Sequence, residues 1–302
     1  MLNEDIIKEF IFDCRMRKLS ERTIKSYKNN NLAMMQFIQK EYGIVELEET
    51  NHIAIRGYIE FLTKKELAET YINSLMKCFK AYFTYCVREQ YILKNPMERV
   101  YKQKEPITLI NAFSDIEVKR MINFHTGSRF LQIRNKLIMI LLFDTGIRNS
   151  ELCGLKLDDI RDTYINIFGK GKKVRYVPIT SIISKQLIKY LRIREEYIKN
   201  KINYETEYLL LSQKGRKLTV ETIERIVKEC GQECNVRKEI RISPHTCRHY
   251  YAQAQLKNGC DLFTLSRLLG HTNINITKRY LQSINDEDTL IMGVKTSPLM
   301  NL

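Results

Sequence analysis

Four short stretches in the second half of this sequence put side chains able to handle a phosphate at what read as structural junctions. In Thr145-Gly146-Ile147-Arg148-Asn149-Ser150-Glu151-Leu152, Arg148 follows a glycine turn just where a helix is expected to begin. Gly169-Lys170-Gly171-Lys172-Lys173 lies between two β-branched runs, which makes Lys170 a hairpin-tip residue. In Pro244-His245-Thr246-Cys247-Arg248-His249, His245 and Arg248 are three apart and share one face of a helix. Leu268-Leu269-Gly270-His271 is followed nine residues later by Tyr280, in Lys278-Arg279-Tyr280.

Taken singly, each has an ordinary explanation: a surface arginine, a solvent-exposed hairpin lysine, a capping histidine, a packed tyrosine. Together they form a complete kit for phosphoryl transfer. Two arginines fork onto the non-bridging oxygens of a phosphodiester better than a lysine point charge does. A lysine on a hairpin can reach the leaving oxygen as a general acid, and histidines exchange protons near neutral pH. A tyrosine hydroxyl has a pKa near 10 and needs cationic neighbours to become a nucleophile. No cluster of Asp and Glu with metal-site spacing accompanies these residues, so neither a metal nor a cofactor is expected, and the cationic side chains must neutralise the charge.

The elements that must hold this kit are mostly helical. Ser20 precedes a periodic stretch in which Ile24, Tyr27, Leu32, Met35 and Ile38 approximate one face and which ends at Gly43. Residues 51–65 and 67–89 continue the pattern, the latter with Tyr71, Leu75, Phe79, Tyr82 and Cys86, until Asn95-Pro96 stops it. The first hundred residues thus read as a four-helix unit. Residues 101–111 are polar, lack a period and read as a linker; Ser114, with Glu117 three residues on, then caps a new helix. Residues 128–143 are apolar nearly all round and should form the buried centre of a second domain over 112–302. Residues 163–168 and 174–179 predict a hairpin, 182–199 a helix, and 207–211 a third strand. Helical pieces at 219–234, 245–258, 261–269 and 273–283 complete the chain, Pro244 being placed to start the second. The fold class is mainly α with a small antiparallel β-sheet.

Composition agrees with an anionic partner. The 302 residues include 50 Lys and Arg against 35 Asp and Glu, a net charge of +15. Residues 1–100 hold 16 basic and 14 acidic side chains and the remainder 34 and 21, so the excess sits in the second domain. Residues 161–201 alone carry 11 basic and three acidic groups, a stripe that suits nucleic acid. The longest wholly apolar run, residues 137–143, is far too short to span a bilayer, and the acidic N-terminus is unlike a signal peptide, so a cytoplasmic protein with no membrane partner is expected. Eight cysteines without a CxxC pair read as reduced, buried or semi-exposed thiols.

The four motifs resemble those of the tyrosine recombinase (lambda-type integrase) family, closest to its Xer-like members. TGIRNSEL, GKGKKVRYVPI, SPHTCRHYYA and LLGHTNINITKRY match that family's blocks in order and spacing, and the helical first domain resembles its SAM-like core-binding domain. The resemblance implies that Arg148 and Arg248 clamp the phosphate, Lys170 is the acid, and His245 and His271 are the two histidines. It makes Tyr280 the nucleophile. Lys172 and Lys173 are alternatives to Lys170, but the family's lysine is the one between the glycines. It further implies a site-specific recombinase that cleaves and rejoins two double-stranded DNA sites through a 3′-phosphotyrosine, for integration, excision, transposition or resolution. The expected assembly is a tetramer on DNA, with a paralogous recombinase or an accessory DNA-bending protein as further partners. Leu290, Ile291, Met292 and Val294 are candidates for a tail helix docked on a neighbouring protomer. Two rivals are a type IB topoisomerase-like enzyme and a catalytically silent DNA-binding protein on the same fold.

Overall fold

The computed structural model describes residues 3–106, 110–169, 173–199, 207–284, 286–295 and 297–301. Backbone contacts divide the chain into two units, residues 1–107 and 108–302.

The first unit is built from α1 (Asn3–Met16), α2 (Glu21–Tyr42), α3 (His52–Lys64) and α4 (Glu69–Arg88), followed by a 3-10 turn at Pro96–Arg99. Local chemistry sets the ends. Ser20 accepts from the Thr23 amide, Asn51 accepts from Ile53 and Ala54, and Gly43 closes α2. Phe10, Ile38, Ile55, Phe79, Tyr82 and Phe83 fill the core. Two details differ from the sequence pattern. Tyr71 lies in the first turn of α4 and is 52% exposed, whereas Leu75, Phe79, Tyr82 and Cys86 are buried as expected and are joined inside by Ile72, Met76 and Phe83. On α2, Tyr27 and Leu32 are only partly buried, while Met34 joins Ile24, Met35 and Ile38 inside.

The second unit opens with α5 (Asp115–Phe124) and α6 (Phe130–Thr145), continues through α7 (Asn149–Gly154), and forms the hairpin β1 (Tyr164–Phe168) and β2 (Val174–Pro178). Then follow α8 (Ser181–Lys199), α9 (Val220–Glu233), α10 (Pro244–Lys257), α11 (Leu262–Leu269), α12 (Ile274–Lys278), a 3-10 turn at Arg279–Ser283 and α13 (Asp286–Lys295). As its composition requires, α6 is enclosed on nearly every side: Ile133, Leu137, Ile138, Met139 and Leu142 are all at most 1% exposed. The antiparallel hairpin pairs Tyr164 with Pro178 and Phe168 with Val174.

The third strand expected at 207–211 does not form; the described residues hold only two strands. The segment makes isolated bridges instead, Tyr208 to Lys156 and Leu211 to Lys217. Its carbonyls are satisfied by side chains: Leu209 accepts from Tyr190 and Arg194, Tyr208 from Arg194, and Leu211 from Arg134. Once those polar groups are met, no ladder is needed to bury Leu209, Leu210 and Leu211. The helix expected over 273–283 also breaks, passing from α12 to the 3-10 turn at Arg279.

All eight cysteines are free and seven are buried. Among the described residues, no helix is long and apolar enough to cross a membrane.

The entry to the second unit is fixed by Glu117. It closes a capping box with Ser114 and also accepts from the Arg237 backbone and guanidinium at 2.9 and 3.0 Å. Burial works against its ionisation, but the Arg237 and Ser114 donors outweigh it and hold the carboxyl at about 2. A depressed carboxyl contributes stability that is complete above the unfolded value near 4.3 and fades as pH falls toward the folded one. Glu117→Gln should therefore cost about 1–3 kcal/mol at neutral pH and flatten the acid side of the stability profile. Denaturant unfolding at pH 7 and pH 3 checks both; equal stability of the two chains at pH 7 would remove the anchor role.

Candidate active site

The candidate side chains leave the backbone at or near the ends of elements. α6 ends on Gly146, whose φ of +58° turns the chain so that Arg148 stands at the N-cap of α7. A side chain at 146 would also meet the Tyr251 ring, 2.4 Å from its Cβ. α11 ends on Gly270 in the same left-handed conformation, and His271 follows. Ser243 caps α10 by accepting from the Thr246 amide, which starts the helix at Pro244 and sets His245, Arg248 and His249 on its first turns.

Arg248 is the centre of the site and only 2% exposed. It donates to the Gly146 carbonyl at 2.5 Å and the Leu269 carbonyl at 2.6 Å, and approaches His271 Nε2 at 3.0 Å. These contacts engage three of its five N–H donors. Burial and the neighbouring charges of Arg148 and Arg175 push its guanidinium down, to about 9. An anion entering the site would relieve that strain.

A guanidinium offers no acceptor, so His271 Nε2 must be the unprotonated nitrogen. His271 Nδ1 then donates to the Thr277 hydroxyl, 2.8 Å away and fully buried. Burial, then Arg248, Arg148 and Arg175, lower His271 to about 4, which agrees with a neutral ring.

Glu151 holds the other cations. Its carboxylate accepts from the Arg148 amide at 2.9 Å and guanidinium at 2.8 Å, and takes a two-pronged contact from Arg175 at 2.9 and 2.8 Å. Arg175, on β2, also donates to the Leu268 carbonyl at 2.8 Å. Burial alone would raise the Glu151 carboxyl, but the Arg175 bonds and charge, with the Arg148 donors, outweigh it and hold it below the carboxylate range. Two guanidiniums thus bind one carboxylate, whose charge also reaches Arg248. Arg148, Glu151, Arg175 and His271 line an open cavity of 1080 Å³, with Lys173 and Arg267 at its sides.

Tyr280 is 4% exposed in the 3-10 turn. Its hydroxyl is 3.0 Å from His249 Nδ1, and the His249 ring meets His245 edge to face at 4.2 Å between centroids. Burial raises the Tyr280 phenol, and Arg248, Arg279 and Arg148 pull it partly back. His245 is lowered by partial desolvation and then by Arg248, Arg241 and Arg148, which places it in the same positive field although its ring edge meets solvent.

The structure therefore bonds Arg248 to His271, sets Arg148 close enough for its charge to act on both, and links His245 to Tyr280 through His249. Lys170 lies outside the described residues. Sequence reasoning passed over Arg175, Glu151, His249 and Thr277. All four stood inside the quoted motifs, and the four-residue spacing of His245 and His249 was the available signal for His249. Arg175 and Thr277 had none, since their roles depend on partners 24 and six residues away.

Comparison with known proteins gives a consistent result. Residues 4–104 match the phage integrase SAM-like domain. Tyrosine recombinase XerC of Thermodesulfovibrio yellowstonii is 31% identical over 264 residues, covering 86% of this chain and 85% of that protein. Tyrosine recombinase XerD of Oceanobacillus iheyensis is 29% identical over 280 residues, covering 92% and 93%. Among solved structures, XerH site-specific recombinase bound to a palindromic difH substrate superposes with a TM-score of 0.74 at 20% identity, covering 94% of this chain and 82% of that one. A lambda integrase dimer bound to a COC′ core site gives 0.73 at 17%, covering 93% and 95%. These two likenesses establish the fold, mainly α with a small antiparallel sheet. Residues 112–287 match the model of the phage integrase family across more than half of the chain, and the chain belongs to that family.

Proposed function

We propose that this protein is a site-specific DNA recombinase that breaks and rejoins strands through a phosphotyrosine. The observation that carries this reading is the excess of guanidinium over carboxylate at Arg148, Arg175, Arg248 and Glu151, with Arg175 and Arg248 buried and Arg148 partly exposed, beside a buried tyrosine. Such a site is preorganised for a dispersed negative charge such as a phosphodiester passing through a pentavalent state.

In the proposed reaction Arg148 and Arg248 hold the non-bridging oxygens, with His245 as a further donor and His271 holding the Arg248 guanidinium in place. Tyr280 attacks phosphorus and becomes linked to the 3′ end, while Lys170 protonates the departing 5′ oxygen. The 5′ hydroxyl of a partner strand then reverses the step. The bond energy is conserved in the ester, so no nucleotide triphosphate is consumed. Residues 1–100 serve as the core-binding half and 112–302 as the catalytic half. The solved XerH and lambda integrase complexes contain DNA, which supports the same partner here. Exchange between two duplexes calls for several protomers, and we assign a tetramer. Leu290, Ile291 and Val294, 72%, 49% and 62% exposed on α13, support a tail docked between subunits.

Single-turnover cleavage of a nicked suicide duplex tests the reading. The wild-type chain should form a covalent protein–DNA adduct with or without chelator, and binding should weaken steeply with salt as phosphate contacts release counterions. A strict Mg²⁺ requirement would overturn it. A two-site assay distinguishes exchange from the relaxation of one duplex by a topoisomerase, and absence of any adduct would leave only DNA binding.

A further inference from the structure

We propose that His249 is the proton acceptor for Tyr280 during cleavage, with its Nδ1 already 3.0 Å from the phenolic oxygen. This rests on the assignment of Tyr280 as nucleophile.

The chemistry leaves few acceptors. Guanidiniums have none to offer, which removes Arg148, Arg175 and Arg248. His271 has Nε2 turned to Arg248 and Nδ1 to Thr277, so both nitrogens are engaged. Lys170, as the acid, must begin protonated. Two imidazoles remain, His245 and His249, and His249 holds the hydrogen bond to the phenol. It lies one turn beyond His245 on α10, and the edge-to-face contact of the two rings fixes its plane.

The step balances as follows. The Tyr280 oxygen forms its bond to phosphorus as its proton passes to His249 Nδ1. The bond from phosphorus to the 5′ oxygen breaks, and that oxygen takes a proton from Lys170. On resealing, the imidazolium returns its proton to the leaving phenol, and Lys170 takes the proton of the attacking 5′ hydroxyl.

The surroundings match this task to substrate binding. The groups facing His249 are His245 and Arg248 on its own helix and Arg279 and Tyr280 on the turn packed against it. Burial, then His245, Arg248 and Arg279, lower the imidazole to about 4, so it is neutral and able to accept at neutral pH. A phosphodiester on the arginines offsets part of that positive field. His249 therefore becomes a stronger base only once DNA is in place.

The test uses the full chain, with the suicide duplex for cleavage and a mobility shift for site binding. His249→Gln keeps the size and a hydrogen-bonding amide but cannot be protonated, so it separates loss of the base from the packing gap that His249→Ala leaves. Both should bind the site normally and cleave about 100- to 1000-fold more slowly. Placing a fluorinated, more acidic tyrosine at position 280 should shrink that deficit, because a phenol that ionises unaided needs no base. Cleavage at the wild-type rate by His249→Gln would overturn the proposal. So would a deficit that fluorination leaves unchanged, since His249 would then only position the ring. Failure of the underlying reading looks different: an adduct would persist in Tyr280→Phe whatever stands at 249.

Discussion

Tyr280→Phe is expected to bind its DNA site as the wild-type chain does and to yield no covalent adduct on a nicked suicide duplex. Loss of the nucleophilic oxygen removes the covalent route altogether, and in enzymes that form covalent intermediates such a deletion lowers turnover by about 10⁶-fold. The change is otherwise mild. The ring is 4% exposed and remains packed beside α10, and the lost hydrogen bond to His249 is worth about 0.5–1.5 kcal/mol. Binding and folding should therefore survive where chemistry does not. Gel analysis of the trapped complex, with a binding assay on the same preparation, reads both. A surviving adduct would move the nucleophile to another of the 17 tyrosines, and peptide mapping would find it.

Arg248→Lys is expected to retain the fold and the net charge yet lose cleavage by about 100- to 1000-fold, the cost of removing an aligned donor at a charged transition state. The reason lies in the fork. Arg248 spans the Gly146 carbonyl on one side and the Leu269 carbonyl and His271 on the other. A lysine has three donors at one point and cannot bridge these partners while also holding a phosphate. His271 loses the contact that fixes its tautomer, so the defect should appear in the cleavage rate far more than in affinity. Wild-type cleavage by Arg248→Lys would show that its role is charge alone.

Much of this site was legible because its residues sit beside turn chemistry. Gly146 and Gly270 both adopt left-handed conformations, and the residues placed after them, Arg148 and His271, were identifiable from that punctuation. Pro244 marked the start of α10 in the same way. The cluster's internal wiring was not legible. Glu151 binds Arg175 across 24 residues of chain and two elements, a relation no local period encodes. The third strand failed for a related reason: residues 207–211 are as apolar as a buried strand, but the side chains of Tyr190, Arg194 and Arg134 satisfy their carbonyls. The outward turn of Tyr71 reflects where α4 begins, which a period of 3.6 does not fix.

Gly146 sets a limit on how this protein can vary. Its carbonyl receives one guanidinium, the chain two residues on carries another, and its bare α-carbon leaves room for the Tyr251 ring. A single methyl group there would push the ring away, oppose the backbone twist and shift both arms of the clamp at once. Attempts to retarget the protein to new sequences by random mutagenesis should thus recover this codon unchanged, however freely the surrounding positions drift.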